Sequence, residues 1–570
     1  MPAIREVHSD SWCVRLDLAG QVLQVDVPEY DMDFRRYDFE SSEDRLFPTV
    51  PTETHAPISA ATLLLKAKRF DDGLYAAVEA AAEHGIGWFK GKAALLRLLT
   101  EQCQEPVASA RLYAACKLGN LSTAIPTELE PSVREAVDTF LANERLSKPL
   151  GFYTWTSELS EIFRQDRMLQ QPLNADAADA CANTLKQSAE ATNIYESWMR
   201  LNSRLTNPPA RSGVHDAGPL RAFMPASRSH EQVLFEQLYG DRPAPDGFDL
   251  MSELISRVRS GEIDLTPSEA SGWYDIQTWS LAPLLLPEQT PEGKRVVFGS
   301  RYREHLEELF RGALALARET HVKQLAVAVG GSALGRDPTI YVGPALNVEP
   351  LPSLYARRAE SYRFVSSVLA EAFGPESLDK MHRLSPDGAK PESLAQELAS
   401  MESLFDGAAA HARRDLGIEP EPKDDSAIAR FLEWRANAAS DKDVGCDARM
   451  MVPVFYDLQR RKTKVWAFLG WRAVSVDVKY LQNPIVVSVD NSVAPEPEPT
   501  DRLSVLRRKF RKAPEQPPSV APRVRFRGER HSFAEPVIVE VYVENLLDRD
   551  EFRQHCDRFV TKTAIVANLR

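Results

Sequence analysis

The chain has 570 residues, 43% hydrophobic and 26% charged, with a formal net charge of −13 at pH 7. That length exceeds one ordinary core, and the composition excludes a disordered chain, so roughly two to four domains are expected. The acidic balance excludes a surface that binds nucleic acid over its whole extent.

Residues 1–55 read as an N-terminal β-hairpin region. Val14–Leu18 alternates, Ala19-Gly20 turns the chain, and Val22–Val27 resumes the alternation. The first residues, Met1-Pro2-Ala3-Ile4-Arg5-Glu6, lead into no apolar stretch of signal-peptide type. No run approaches the roughly 20 apolar residues that span a bilayer, so a cytoplasmic location is expected.

Residues 56–445 read as a helical body, with a sub-boundary near 206–228. Segments 60–70, 72–84, 92–103 and 107–118 follow one another with short breaks. Further helices are expected over 132–147, 156–170, 176–205, 231–239, 249–260, 268–286, 302–329, 352–373 and 392–415. The clearest is 302–329, where Leu306, Leu309, Phe310, Ala313, Leu316 and Ala317 form one apolar stripe. No fixed-period repeat is visible, so a helical bundle is expected rather than a solenoid.

The pattern changes near Cys446. Met450–Tyr456 and Lys464–Gly470 predict a hairpin, with Val474–Val478 and Ile485–Val489 as further strands. Residues 491–522 hold seven prolines and read as a linker. Beyond it, Val524–Phe526, Val537–Val543 and Val560–Val566 predict strands and Arg549–Asp557 a short helix. Residues 446–490 and 523–570 together form the expected C-terminal domain. The fold class is α+β: a predominantly α-helical body, a short N-terminal β hairpin and a smaller β-rich C-terminal region.

Between Arg502 and Arg530 there are ten Lys/Arg against two Asp/Glu, which leaves −21 on the rest of the chain. Arg507, Arg508, Lys509, Arg511 and Lys512 are the candidate partner-binding set there, for an acidic protein, an anionic lipid or RNA. The same stretch also reads as a solvated linker.

Motif searches return little. The six cysteines are scattered without a C-x-x-C pair, which argues against structural zinc and a disulfide framework. Cys556 beside His555 makes a poor dyad, because adjacent helical residues point about 100° apart. His305 and His321 lie about 24 Å apart along one helix and cannot share a metal. Gly330-Gly331-Ser332-Ala333-Leu334-Gly335 lacks the Lys-Ser/Thr of a phosphate loop and reads as a connection. No metal ligand set and no cofactor are expected.

Two aromatic-polar clusters stand out. Phe152–Trp155 precedes a charged helix start. Trp273, Tyr274, Asp275 and Gln277 precede Trp279 and combine ring walls with polar tips, as a ligand pocket does. The same pattern also suits a core with locally satisfied polar groups.

The stretch Arg318-Glu319-Thr320-His321-Val322-Lys323-Gln324, followed by a glycine-rich gap and Val348-Glu349-Pro350-Leu351-Pro352-Ser353-Leu354-Tyr355, resembles a large family of uncharacterised bacterial proteins. The resemblance covers about residues 270–480. In that family the histidine precedes the threonine, whereas here His321 follows Thr320. The resemblance implies that Arg318, His321, Lys323, Gln324 and Glu349 lie near one another; it implies no activity.

Two principal functional expectations result. The first is a cytoplasmic binding or assembly protein with a helical scaffold and a protein partner. The second is a hydrolase with carboxylate and histidine acid–base chemistry, using His321, Glu349 and Asp275 as catalytic groups and Trp273, Tyr274, Gln277 and Lys323 as ligand contacts. RNA or another anionic partner on 502–530 is a further alternative.

Overall fold

The computed structural model describes residues 12–15, 46–51, 57–240, 242, 244–245, 247–326, 346–418, 425–480, 486–489, 529–559 and 561–569. Helices of eight or more residues begin with α1 (Ala60–His84), α2 (Lys92–Gln102), α3 (Pro106–Leu118), α4 (Glu130–Leu141) and α5 (Ser157–Leu169). They continue with α6 (Ala175–Gln187), α7 (Ala189–Leu205), α8 (His230–Leu238), α9 (Leu250–Ser260) and α10 (Trp273–Ser280). The last are α11 (Ser300–Thr320), α12 (Pro352–Phe373), α13 (Leu394–Asp415), α14 (Asp425–Asn437), α15 (Arg549–Phe559) and α16 (Lys562–Leu569). None of the described helices is long and apolar enough to cross a membrane.

Local chemistry sets many helix starts. Ser59, Thr156, Asn174, Ser188 and Asp249 each accept a backbone N–H from the first turn, and Ser393 with Gln396 forms a capping box. The Ser188 cap splits the expected helix over 176–205 into α6 and α7. The two segments expected over 60–84 are instead one 25-residue helix. Asp71 and Asp72, which look like a break, are buried there with cationic partners. Helix α14 was not anticipated.

The strands are β1 (Trp12–Arg15), β2 (Pro172–Leu173), β3 (Arg221–Ala222), β4 (Val296–Val297), β5 (Met450–Asp457), β6 (Lys462–Tyr480), β7 (Val486–Val489) and β8 (Glu529–Val543). The expected hairpin at 450–470 is present as β5–β6. The strand expected over 474–478 is a continuation of β6. Strand β1 runs antiparallel to β7, Trp12 opposite Val489, while 17–45, which hold the second arm of the expected N-terminal hairpin, lie outside the described residues. The linker 491–522 and Val524–Phe526 also lie outside them, as does the glycine-rich loop at 330–335.

Strand β6 is the spine of the main sheet. It pairs antiparallel with β5 on one side and with β8 along 463–478 on the other, so the tail joins this chain's own sheet. Because side chains alternate along a strand, β6 serves two cores. Trp466 and Phe468 enter the large core of the helical body, while Val465, Ala467 and Leu469 face a smaller one. The smaller core is closed by Phe552 and Cys556 of α15 and by Ile565 and Leu569 of α16. Residues 562–569 are therefore helix, not the strand expected over 560–566. Ile565 and Leu569 must meet one surface at helical spacing, and that packing overrides β-branched propensity.

Helix α11 lies against β8 at Gly312, where an added Cβ would stand 2.5 Å from Pro536 Cγ. Gly312→Val is expected to destabilise the protein by about 1–3 kcal/mol through overpacking, read as a lower urea midpoint at unchanged slope.

Candidate functional site

One face of α1 carries Lys68, Asp72, Tyr75, Glu79 and Glu83, spaced to lie on a single stripe, and all are buried. Charges enclosed in this way are tolerated only when paired and hydrogen-bonded. Lys68 Nζ lies 2.6 Å from Asp72 Oδ1 and 2.7 Å from Glu319 Oε2, and donates to Thr320 Oγ1 at 2.8 Å. Arg549, at the start of α15, reaches the same acids: Nη2 is 2.6 Å from Asp72 Oδ2, and Nε donates to Glu319 Oε1 at 2.8 Å. Burial opposes ionisation of Glu319, but Arg549 and Lys68 outweigh it and hold its pKa at about 2.

Further along the stripe, Lys323 Nζ bridges Glu79 Oε2 at 2.6 Å and Asp166 Oδ2 at 2.5 Å. Lys92 pairs with Glu83 at 2.9 Å and with Asp166. Tyr153 donates to Glu79 at 2.9 Å and Gln165 to Glu83 at 2.8 Å. Lys323, a candidate ligand contact by sequence, is thus enclosed in an ion-pair chain.

His321 caps the C-terminus of α11 and is fully buried. Its Nε2 lies 3.0 Å from Gln277 Oε1 and its Nδ1 3.2 Å from Thr206 Oγ1. Since the Gln277 oxygen can only accept, Nε2 carries the proton and Nδ1 accepts from the hydroxyl. Tyr75, Trp273 and Tyr274 surround the ring edge-on at 5.0, 5.7 and 5.3 Å. Burial, then the nearby Lys68 and Arg358, keep this imidazole's pKa well below the usual histidine range. Gln277 Nε2 donates on to Asp71 at 2.9 Å, and Asp71 also pairs with Arg358 and accepts from Tyr362 at 3.0 Å. A void of about 20 Å³ bordered by Lys68, Asp71, Gln277 and Arg358 has room for about one water molecule.

Trp273, Tyr274 and Gln277 thus meet His321, as the sequence candidates require, whereas Asp275, Arg318 and Glu349 bond elsewhere. Asp275 accepts from Asn207 at 2.7 Å and Ser271 at 3.0 Å, with His230 at 3.5 Å. Trp273 Nε1 donates to Ser361 at 2.8 Å, and Tyr274 to Glu231 at 2.9 Å. Arg318 pairs with that same Glu231. Glu349 faces neither His321 nor Lys323. Its Oε2 accepts the Ala60 N–H at 2.8 Å, at the start of α1, and its Oε1 lies 3.0 Å from His305 Nε2. Within the expected grouping of Arg318, His321, Lys323, Gln324 and Glu349, Arg318 therefore pairs with Glu231, His321 with Gln277, Lys323 with Glu79 and Asp166, and Glu349 with His305. Among the described residues no group of three or more His, Cys, Asp or Glu stands where it could hold a metal ion.

An open concavity lies elsewhere. After α1 the chain makes the loop Gly85-Ile86-Gly87-Trp88-Phe89-Lys90-Gly91, in which all three glycines have positive φ, a conformation costly for other residues. Ile86 and Phe89 exchange two backbone hydrogen bonds at 2.9 Å. Phe89 is buried edge-on against Phe373, whereas Trp88 is 65% exposed. The Trp88 indole N–H donates to Ala372 O at 2.9 Å, and its ring lies against Gly374. With α7 and α12 the loop encloses a groove of about 180 Å³, its floor including Ile194, Leu201 and Val368 and its rim Lys90, Arg200, Arg204 and Glu371. Arg204 is fixed by Glu269 O and Ser271 O at 2.8 and 2.9 Å. The sequence reading passes over this loop, whose local signal is three glycines around a Trp-Phe pair.

Two expectations follow from the buried charges. Lys323→Met leaves Glu79 and Asp166 short of a cation and should cost about 3–5 kcal/mol in urea unfolding. His305 is buried between Glu349 and Glu535, the latter 3.2 Å from Nδ1. Burial lowers its pKa, but the two carboxylates outweigh burial and raise it from 6.5 to about 9. Its stabilisation is complete below the unfolded value and disappears as pH rises through 9, an amount of about 3 kcal/mol. His305→Gln should be less stable at pH 6.5 and should lack the wild-type decline in melting temperature between pH 7 and 9.

No family model, curated protein or solved structure matches the chain.

Proposed function

We propose that the chain is a cytoplasmic binding or assembly protein, with the helical body as a stiff scaffold and the Trp88 groove as its contact site. The contrast between two places carries this reading. His321, Lys323 and Glu349, the groups with acid–base chemistry, are fully buried and engaged by their neighbours, whereas an acid or base in catalysis must reach its substrate. The Trp88 loop does the opposite, using three positive-φ glycines to set a large, 65% exposed ring beside a cavity. Cys103, Cys116, Cys181, Cys446 and Cys556 are free thiols, as a reducing compartment would keep them.

The hydrolase reading needs Asp275, Gln277, His321 and Glu349 around one cleft; Gln277 does meet His321, but that contact is buried, and Asp275 and Glu349 bond to Asn207 and His305 instead. Partner binding through Arg507, Arg508, Lys509, Arg511 and Lys512 is a proposal resting on charge alone, since these positions lie outside the described residues.

A thermal-shift screen against metals, nucleotides, sugars and peptides tests the proposal. A ligand at a hundred times its dissociation constant stabilises by about 2.7 kcal/mol. The shift should vanish in Trp88→Ala and persist in Leu220→Ala, which alters an exposed apolar residue outside the groove. Ligand shifts unchanged in Trp88→Ala, or a hydrolytic turnover removed by His321→Gln, would overturn it.

A further inference from the structure

We infer that the Trp88 groove takes an acidic peptide segment of a partner protein, with a proline or aromatic side chain on the Trp88 ring and a neighbouring carboxylate on Arg200 and Lys90. The inference rests on the binding reading above and specifies its ligand.

Four observations converge on this chemistry. The cavity of about 180 Å³ is smaller than the roughly 300–1,000 Å³ of sites for cofactors and drug-sized molecules. It suits one or two side chains better than a nucleotide. The Trp88 indole N–H is already committed to Ala372 O, so the ring offers its flat apolar surface, which packs well against proline or another ring.

The rim is cationic. It carries Lys90, Arg200 and Arg204 against the single acid Glu371, and among the described residues no acid engages Lys90 or Arg200. A planar guanidinium beside an apolar floor matches a carboxylate through two parallel hydrogen bonds. Arg204 is held by two backbone carbonyls with its guanidinium 4.8 Å from the Phe364 ring centre, so it contributes fixed positive charge rather than a mobile fork. Finally, the chain carries −13 overall. That charge disfavours a long polyanion such as nucleic acid, while a local cationic rim still attracts one or two carboxylates.

The full-length protein would be labelled and applied to an array of hexapeptides with two positions fixed as Glu and four randomised, beside a matched array with Gln at those positions. AMP binding would be measured in parallel by calorimetry. The expected result is selective signal on the Glu array, richest where proline or an aromatic residue adjoins Glu. Arg200→Glu and Trp88→Ala should each weaken it about tenfold or more, as loss of a charge-assisted or stacking anchor does, and Lys186→Glu on α6 should not. Arg200→Gln gives the same comparison if the charge reversal perturbs folding. Equal signal on both arrays would overturn the acidic specificity. AMP binding that depends on Trp88, without peptide signal, would overturn the peptide and leave the groove as a binding site. Silence from both probes would count against the groove itself.

Discussion

Burial of charge along one face of α1 is the constraint on which the rest of the fold depends. A helix that places Lys68, Asp72, Glu79 and Glu83 in the interior obliges its neighbours to bring counter-charges to fixed points. Helix α5 supplies Asp166, the end of α11 supplies Glu319 and the turn after it Lys323, and α15 supplies Arg549. Apolar packing alone tolerates sliding and repacking, but a buried ion pair displaced by a few ångströms becomes an uncompensated charge. The network therefore fixes the placement of elements from opposite ends of the chain. Whether it adds net stability over an apolar core is a separate matter, since desolvation offsets much of the attraction.

The same logic separates interior chemistry from exposed chemistry. His321 has aromatic neighbours and two hydrogen bonds, a setting that resembles a catalytic pocket on paper. Its surroundings are closed, and its role in the geometry is to join Gln277, Thr206 and Tyr75 into one lattice. Trp88 has the inverse character, with a fixed ring, no enclosing wall on one side and cations nearby.

Much of the framework was legible in the sequence because it is written locally. Apolar stripes located most helices, and alternation located the 450–470 hairpin. The errors arose where distant contacts decide. Residues 562–569 have strand-like composition, yet the outer face of the sheet requires Ile565 and Leu569 at helical spacing. Asp71-Asp72 looks like a helix break until Arg358 and Lys68 are placed beside it. For the site, His321, Lys323 and Glu349, which the resemblance groups together, have separate partners. Glu349 instead joins His305 to the start of α1, a contact no local pattern encodes. The charged stripe on α1 has the spacing that surface helices also show, and burial is what distinguishes it.

The reach of Arg549 also bears on how the chain is made. Asp72 has Lys68 four positions away, but its second cation, Arg549, is 477 positions on, and Glu319 shares both. Synthesis proceeds at about 5–20 residues per second, so these acids emerge from the ribosome many seconds before their partner. Through that interval Lys68 alone is available to both Asp72 and Glu319. The complete set of pairs can form only once residue 549 has been made, after both β6 and β8.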